Sequence, residues 1–278
     1  MKKLGLIFLT AALMLVLTLC PAWAEGKGTA TFYLNADDPT EVYETSEFTL
    51  GEWIDEPTAP TREGYVFDGW FTDADAQTKF SFNSRCEADT GLYAGWRRIY
   101  VFEAEYTDLE GRQGNGYSGN TSGIGLIGKD TSGAGASNGY YVSCLYYDGA
   151  YLTFNINSDR DVSDVTIVLS LSAEFDDVIL TGDMYFVDVN GEEYDVEAQL
   201  TGAYGVTEDG EHNKRPFSQH TVATKVHLNA GENVIELVTN NDEHMSGATM
   251  EATAPMVDAL ILYTSADLTW DPVLSNIE

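Results

Sequence analysis

Basic residues are scarce in this chain of 278 residues. It carries 14 Lys and Arg against 45 Asp and Glu, and its formal net charge is −31. Such a surface repels the phosphates of nucleic acids and anionic lipids, which bind to clusters of basic residues. The acidity has two explanations: solubility outside the cell, which we favour, and calcium binding by some of the carboxylates.

Cysteine is also scarce, with only Cys20, Cys86 and Cys144 in the chain. Cys20 lies in the N-terminal leader described below, so two cysteines remain, which is too few for a disulfide framework. Cys86 and Cys144 fall in different predicted domains. We predict two small buried thiols, and a disulfide between them stays an alternative.

Long apolar runs are absent except at the N-terminus. Lys2 and Lys3 precede an apolar run over 4–19, and Ala22-Trp23-Ala24 forms a small-x-small cleavage site. This pattern predicts a signal peptide over 1–24, and therefore a secreted or extracellular protein that is either free or associated with the cell surface. An uncleaved membrane anchor is the alternative, but the run is short for a span. We expect no membrane insertion once the signal is removed.

Helical spacing is absent too, and alternation with a period of two replaces it. Leu152, Phe154 and Ile156 share one face of a predicted strand, and the segment 165–171 repeats the pattern. Asn190-Gly191 is typical of a two-residue hairpin. Many short strands separated by tight turns predict a mainly β protein. The glycine-rich stretch 111–139 and the segment 201–221 are predicted as long loops.

The segment 29–97 is rich in aromatics and turn dipeptides. It contains Pro60-Thr-Arg-Glu-Gly-Tyr-Val-Phe-Asp-Gly-Trp70 and then Leu92-Tyr-Ala-Gly-Trp96. These motifs resemble the internalin-type B-repeat, or Listeria–Bacteroides repeat, which implies a small β-grasp-like domain of bacterial surface and secreted proteins. Aromatic and aliphatic side chains can build its core, and the candidates are Tyr65, Phe67, Trp70, Phe80, Leu92 and Trp96.

The segment 98–265 carries three further motifs, and 266–278 is predicted as a tail. The motifs are Glu103-Ala-Glu105, Ala230-Gly-Glu-Asn233 and Asp258 with Leu262 four residues later. In this order they resemble carbohydrate-binding modules of families six and thirty-five, which are jelly-roll β-sandwiches. The resemblance implies a structural calcium ion held by Glu103, Glu105 and Asp258. Three solvated surface acids are the alternative.

The same resemblance implies a sugar site built from aromatic loop residues. Tyr140 and Tyr141 match one aromatic position, and Phe217 stands where the family usually has Trp. Tyr117 is a further candidate. Met256 stands where the family has an Asn that binds the sugar. The polar contact to the sugar is therefore assigned to Asn241 or its neighbour Asn240. Neighbours on a strand face opposite ways, so one of the two tyrosines is alternatively a core residue.

Catalytic motifs are missing from the chain. It has no G-x-S-x-G, no H-E-x-x-H and no phosphate loop, and its four histidines lack metal-binding spacing. We therefore predict a secreted, non-catalytic protein that binds a poly- or oligosaccharide. The alternative is a bacterial surface or adhesion protein whose modules bind a protein partner. Lys214 and Arg215 would suit an acidic sugar, although a solvated basic loop is the plainer interpretation.

Overall fold

The computed structural model describes residues 26–109, 126–131, 133–143, 145, 150–173, 177–200, 216–240 and 255–277. The predicted signal peptide, Cys144, Lys214 and Arg215 lie outside them. None of the described residues belongs to a helix long and apolar enough to cross a membrane. The described residues form two β domains that share one strand.

The first domain is a four-stranded mixed sheet. Its strands are β1 (Lys27–Tyr33), β2 (Val42–Thr49), β3 (Tyr65–Phe71) and the first part of β4 (Thr90–Glu103). Their order is β2-β1-β4-β3, with β1 and β4 parallel and the outer pairs antiparallel. A parallel central pair between antiparallel edges confirms the predicted β-grasp-like fold.

The core of this domain is aromatic, as predicted. Phe32, Trp70 and Leu92 are buried, and Phe67, Phe80 and Trp96 pack against them. The prediction for Tyr65 is wrong, because this residue lies outside the core. Its ring centroid is 3.8 Å from the guanidinium carbon of Arg62. Its place at the start of β3 leaves it at the edge of the core. Cys86 is a free, buried thiol.

The second domain is a β-sandwich of two main sheets, and the predicted jelly-roll class is confirmed. Its strands after β4 are β5 (Leu126–Lys129), β6 (Tyr140–Ser143), β7 (Tyr151–Ser158), β8 (Val162–Ser172), β9 (Val178–Leu180), β10 (Tyr185–Val189), β11 (Glu192–Asp195), β12 (Ala198–Leu200), β13 (Ser218–Leu228), β14 (Gly231–Thr239), β15 (Met256–Thr264) and β16 (Leu268–Trp270). One sheet has the order β13-β8-β15-β4, with the β5-β6 hairpin beside the start of β15. The other has the order β11-β10-β14-β7-β16, and β9 pairs with β12.

The sandwich core follows the predicted alternation. Leu152, Phe154 and Ile156 of β7 are fully buried in one cluster with Ile167 and Leu169 of β8. Burial of these side chains is the main favourable term for folding. The opposite face of β8 is buried as well, because Val168 packs in a second cluster with Ala259 and Ile261 of β15.

Two turns show why particular residues stand where they do. Asn190 and Gly191 both have positive φ, 55° and 92°, as the predicted two-residue hairpin requires. The turn before β14 is held by Asn233, whose side chain is fully buried. Its amide donates to the carbonyls of Asn229 and Gly231 and its oxygen accepts from the backbone N–H of Asn229. Asn233 therefore has a structural role.

Three segments differ from the predictions. β5 lies within the expected loop 111–139, because Ile127 pairs with Val142 of β6 and packs on the core. β13 begins inside the expected loop 201–221, because Ser218 pairs with β8. The expected tail 266–278 contains β16, which pairs with β7, so the sandwich extends beyond residue 265.

No linker separates the two domains, because β4 runs through both of them. β4 pairs with β1 and β3 over its first part and with β15 from Arg98 to Glu103. Arg97 lies at the change of partner. Its guanidinium donates to the carbonyl of Asp164 at 3.1 Å and to the hydroxyl of Thr166 at 2.8 Å, both in the sandwich. A continuous strand and a bridging arginine therefore couple the domains directly.

Candidate functional site

Two of the predicted sugar-binding aromatics lie together. The ring centroids of Tyr141, on β6, and Phe217, just before β13, are 5.6 Å apart with an interplanar angle of 45°. Both side chains are half-buried. The two residues are 76 positions apart in the sequence, and the β-sheet together with the loop 133–139 brings them side by side. Paired, partly exposed rings suit contact with the apolar C–H face of a sugar.

Gly128 makes the position of the Tyr141 ring possible. It pairs with Tyr141 across the β5-β6 hairpin. A Cβ atom placed on Gly128 would lie 2.4 Å from Cε2 and Cζ of that ring. The aromatic ring therefore occupies the space that a side chain at residue 128 would need, and any larger residue there must displace it.

Tyr140 faces the other way from Tyr141, as strand alternation requires. It lies on the same side of β6 as the buried Val142, and its ring centroid is 5.8 Å from Nζ of Lys129. Met256 is buried at the start of β15. Asn240 is exposed and donates to the carbonyl of Asp183 at 3.2 Å. Tyr117 and Asn241 lie outside the described residues.

The loop 133–139 connects the aromatic pair to a group of carboxylates. At one end, the carbonyl of Ala134 accepts a hydrogen bond of 3.0 Å from the backbone N–H of Phe217. Asp130 organises the loop, because its carboxylate accepts from the N–H groups of Ala134, Gly135 and Ala136. The far end of the same loop carries Ser137 and Asn138.

The three predicted calcium ligands gather around that end. Ser137 donates its hydroxyl to Glu103 at 2.6 Å and its backbone N–H to Asp258 at 2.8 Å. Asn138 donates its side-chain amide to Glu105 at 2.9 Å. Glu105 is 0% exposed and Asp258 is 2% exposed, so these are not the solvated surface acids of the alternative interpretation.

The electrostatics of this corner are unfavourable to ionised carboxylates. Burial raises the pKa of Glu103 to about 7, and the nearby charges of Glu105 and Asp258 add to the effect. Burial likewise raises the pKa of Glu105 and of Asp258. The hydrogen bonds from Ser137 and Asn138 oppose these shifts only in part. Carboxylates that are buried together are neutralised either by protonation or by pairing with a cation.

The residues fit calcium in chemistry, although the carboxylates are spread out. Oε2 of Glu105 is buried and has no hydrogen-bond partner, and calcium prefers carboxylate and carbonyl oxygens. Yet no three His, Cys, Asp or Glu side chains in the described part of the chain stand close enough together to form a metal site as they are. Ser137 and Asn138 lie between the carboxylates. The carboxylates of Glu103, Glu105 and Asp258 must therefore move closer together to bind one ion.

Several residues of this corner were not found from the sequence. Ser137, Asn138 and Asp130 lie in a polar, glycine-rich stretch, where nothing separates a structured loop from an unstructured one. The Asn138-Gly139 pair preceding a strand was the available signal. Gly139 has a φ of +77°, which only a residue without a side chain adopts freely.

The molecule thus consists of a β-grasp-like domain and a jelly-roll sandwich with an aromatic pair and an acidic corner. Residues 29–95 match the family model of the Listeria-Bacteroides repeat domain, which confirms the resemblance of the first domain. No curated protein sequence matches the chain.

Solved structures similar to this chain include family 35 carbohydrate-binding modules, as the resemblance implied. A module from Clostridium thermocellum is 21% identical, with 59% of this chain and 98% of the module covered and a TM-score of 0.37. One from Paenibacillus barcinonensis is 15% identical, with 62% and 99% covered and a TM-score of 0.36. A Podospora anserina GH26-CBM35 β-(1,4)-mannanase is 20% identical, with a TM-score of 0.39. This match covers 61% of this chain but only 28% of the mannanase. At these identities and TM-scores the likenesses carry no information on ligand or activity.

Proposed function

We propose that this chain is a secreted, non-catalytic carbohydrate-binding protein with a structural calcium ion beside its sugar site. One observation carries the proposal. A single loop, 133–139, contacts Phe217 of the aromatic pair at one end and the buried carboxylates Glu103 and Asp258 at the other. An ion in the acidic corner would hold the loop against which the sugar-binding rings are placed.

Tyr141 and Phe217 are the sugar-binding residues in this proposal. Their half-buried rings keep a fixed mutual position, so little conformational freedom is lost when a sugar packs on them. Tyr140 lies on the opposite side of β6 and is assigned no contact with the same sugar unit. Tyr117 and Asn241 remain predicted contributors from outside the described residues.

Glu103, Glu105 and Asp258 would hold the calcium ion. The ion would supply positive charge to a corner where three carboxylates otherwise repel one another. Backbone carbonyls or water must complete a shell of six to eight oxygens, because three carboxylates alone are too few. The fold holds Glu103 on β4 and Asp258 on β15, and these two strands are adjacent in the sheet.

Binding to a panel of polysaccharides tests the proposal. Galactomannan, xylan, arabinogalactan and pectin are compared by affinity electrophoresis, and any ligand found is titrated by calorimetry. Tyr141→Ala and Phe217→Ala should each weaken binding about tenfold, or about 1.4 kcal/mol. Tyr93→Ala on β4 of the first domain is the matched control, since its ring is also half-buried and lies in the other domain. If no polysaccharide binds, or if the two site variants bind like wild type, the proposed site is wrong.

A protein partner is the second candidate, and the first domain offers an observation in its favour. Trp53 and Val42 of that domain are large apolar side chains that are 55% and 52% exposed. A partner protein recovered equally well before and after glycosidase treatment, and lost in Trp53→Ser, would support this function instead.

A further inference from the structure

The edge of the first sheet at β2 is open and flanked by exposed apolar side chains. β2 is the outermost strand beside β1, and among the described residues no further strand pairs with it. Four of the eight large apolar side chains that are exposed in the described part of the chain flank this edge, namely Val42, Tyr43, Leu50 and Trp53. They lie at its two ends, so the backbone between them decides what can bind there.

The hydrogen-bond pattern shows which backbone groups of β2 face outward. Leu50 donates its backbone N–H to the carbonyl of Gly26 at 2.8 Å, and β2 continues in the same antiparallel register with β1 over residues 44–49. Successive residues of an antiparallel strand bond alternately to one side and to the other. The even-numbered residues therefore bond to β1, whereas Thr45 and Glu47 direct their N–H and carbonyl groups away from the sheet.

The other edges of the described sheets are protected. β13 has three register irregularities against β8 and a φ of 62° at Lys225, and such distortions prevent a further strand from pairing. The edge of β3 is covered, because Thr72 donates its N–H to the carbonyl of Thr78 and Trp70 accepts from the N–H of Phe80. The remaining edge strands have only three or four residues. β2 is thus the longest regular edge left open in the described part of the chain.

The charges along β2 determine which kind of strand can pair with it. Glu41, Glu44 and Glu47 are all exposed there. Lys27 lies 2.6 Å from Glu47, but both side chains are exposed and such an ion pair contributes little in water. Pairing with a second copy of the chain would align the glutamates of two acidic strands, and like charges on neighbouring strands destabilise a sheet. The same charges favour a strand that carries Lys or Arg.

We infer that the open edge of β2 binds an extended, basic segment of another protein, which adds a strand to the first sheet. Backbone hydrogen bonds to Thr45 and Glu47 would supply affinity, as in other cases of strand addition. Contacts with Glu44, and with Val42 or Trp53 at the two ends, would supply specificity. The inference rests on the second candidate function, a protein partner, and is independent of the sugar site.

Hydrogen exchange of the whole ¹⁵N-labelled chain tests the inference with two capped peptides as long as β2. One peptide alternates Lys and Val, and the other alternates Glu and Val. The Lys peptide should slow exchange at the amides of Thr45 and Glu47 about tenfold when its concentration is about ten times its Kd. Ser46 and Phe48 should change little, because their amides already bond to β1. The Glu peptide should leave all four amides unchanged.

Two sets of variants separate backbone pairing from charge. Thr45→Pro removes an outward N–H that makes no bond to β1, and edge strands accept proline, so binding of the Lys peptide should weaken about tenfold. Thr45→Val is the matched control, since it keeps the N–H and should bind like wild type. Replacing both Glu44 and Glu47 by Lys should exchange the preference, so that only the Glu peptide binds. This second test does not depend on how proline affects the strand.

The contrary outcomes are as clear. The inference fails if neither peptide slows exchange, if both are equally effective, or if the double variant keeps the preference of wild type. Protection of Thr45 and Glu47 that grows with protein concentration, without peptide, would make β2 an interface between copies instead. A protein partner that is lost in Trp53→Ser but retained by Thr45→Pro would leave the second candidate function standing without strand addition. Polysaccharide binding, which depends on Tyr141, is unaffected by any of these results.

Discussion

Replacing Glu103 by Gln should have opposite effects in the absence and in the presence of calcium. Burial and the neighbouring carboxylates raise the pKa of Glu103 from 4.5 to about 7 in the metal-free protein. A raised pKa in the folded state gives stability that is complete below 4.5 and is lost as the pH rises through about 7. Above that pH the ionised carboxylate destabilises the sandwich, and the neutral amide of Gln removes this cost while still accepting from Ser137.

The size of the effect follows from the pKa. A change from 4.5 to about 7 corresponds to at most about 3 kcal/mol. Because Glu103 keeps some contact with water, we expect about 2 kcal/mol. For a domain of this size that is a gain of roughly 4–8 °C in Tm for metal-free Glu103→Gln at about pH 8. With calcium the sign reverses, because the variant has lost one charged ligand of the ion.

Thermal unfolding at about pH 5 and about pH 8, each with chelator and with excess calcium, checks this expectation. Glu232→Gln is the control, since it removes the same charge from an exposed position of the same domain. The reasoning about the buried corner is refuted if metal-free Glu103→Gln is no more stable than wild type at the higher pH. If calcium changes the Tm of neither wild type nor variant, the corner holds no calcium.

Three further substitutions have defined outcomes. Gly128→Ala should displace the Tyr141 ring, because a Cβ atom there would lie 2.4 Å from that ring. Sugar binding should weaken about tenfold while Tm changes little. Titration calorimetry measures the loss, and unchanged affinity would show that the ring position is irrelevant. Asn233→Ala should cost about 2–4 kcal/mol in the free energy of unfolding, because buried backbone groups of the turn lose their partners. Urea denaturation measures this, and Asn229→Ala, which keeps its backbone bonds, is the control. Asn276→Ala should cost about 1–2 kcal/mol, because it frees the carbonyl of Glu105 in the 3₁₀ turn Ala104–Tyr106 and the carbonyl of Thr107, which follows the turn. Hydrogen exchange at Thr107 should then be faster, and unchanged exchange would mean that the C-terminal segment does not hold the turn.

The strands were predictable because their information is local. The alternation around Leu152 and the Asn190-Gly191 pair determine one face and one turn without reference to distant residues. The strands β5 and β16 were not predictable in this way. Each has only three or four residues, and each exists because a neighbouring strand, β6 or β7, supplies its hydrogen-bond partners.

The candidate site, too, was predictable only where its residues are close in the sequence or belong to a known motif. Glu103 and Glu105 are close in the sequence, so their common location could be inferred, and the resemblance to a known family added Asp258. The contacts that bury these groups could not be inferred, because Ser137 and Asn138 come from a polar loop without a distinctive pattern. Likewise, nothing in the sequence pairs Tyr141 with Phe217 or leaves room for Tyr141 over Gly128.

By itself the sequence determined the acidic character of this protein, its two β domains and the residue types from which a calcium site and a sugar site are proposed. These properties depend on composition, on alternation with a period of two and on short motifs, all of which act over a few residues. Only the tertiary structure decided which of two adjacent tyrosines joins Phe217 and how deeply the three carboxylates are buried. It also decided that Asn276 binds the segment that carries Glu105. Those outcomes depend on strands and loops far apart in the chain, and burial and charge interaction are properties of the assembled fold.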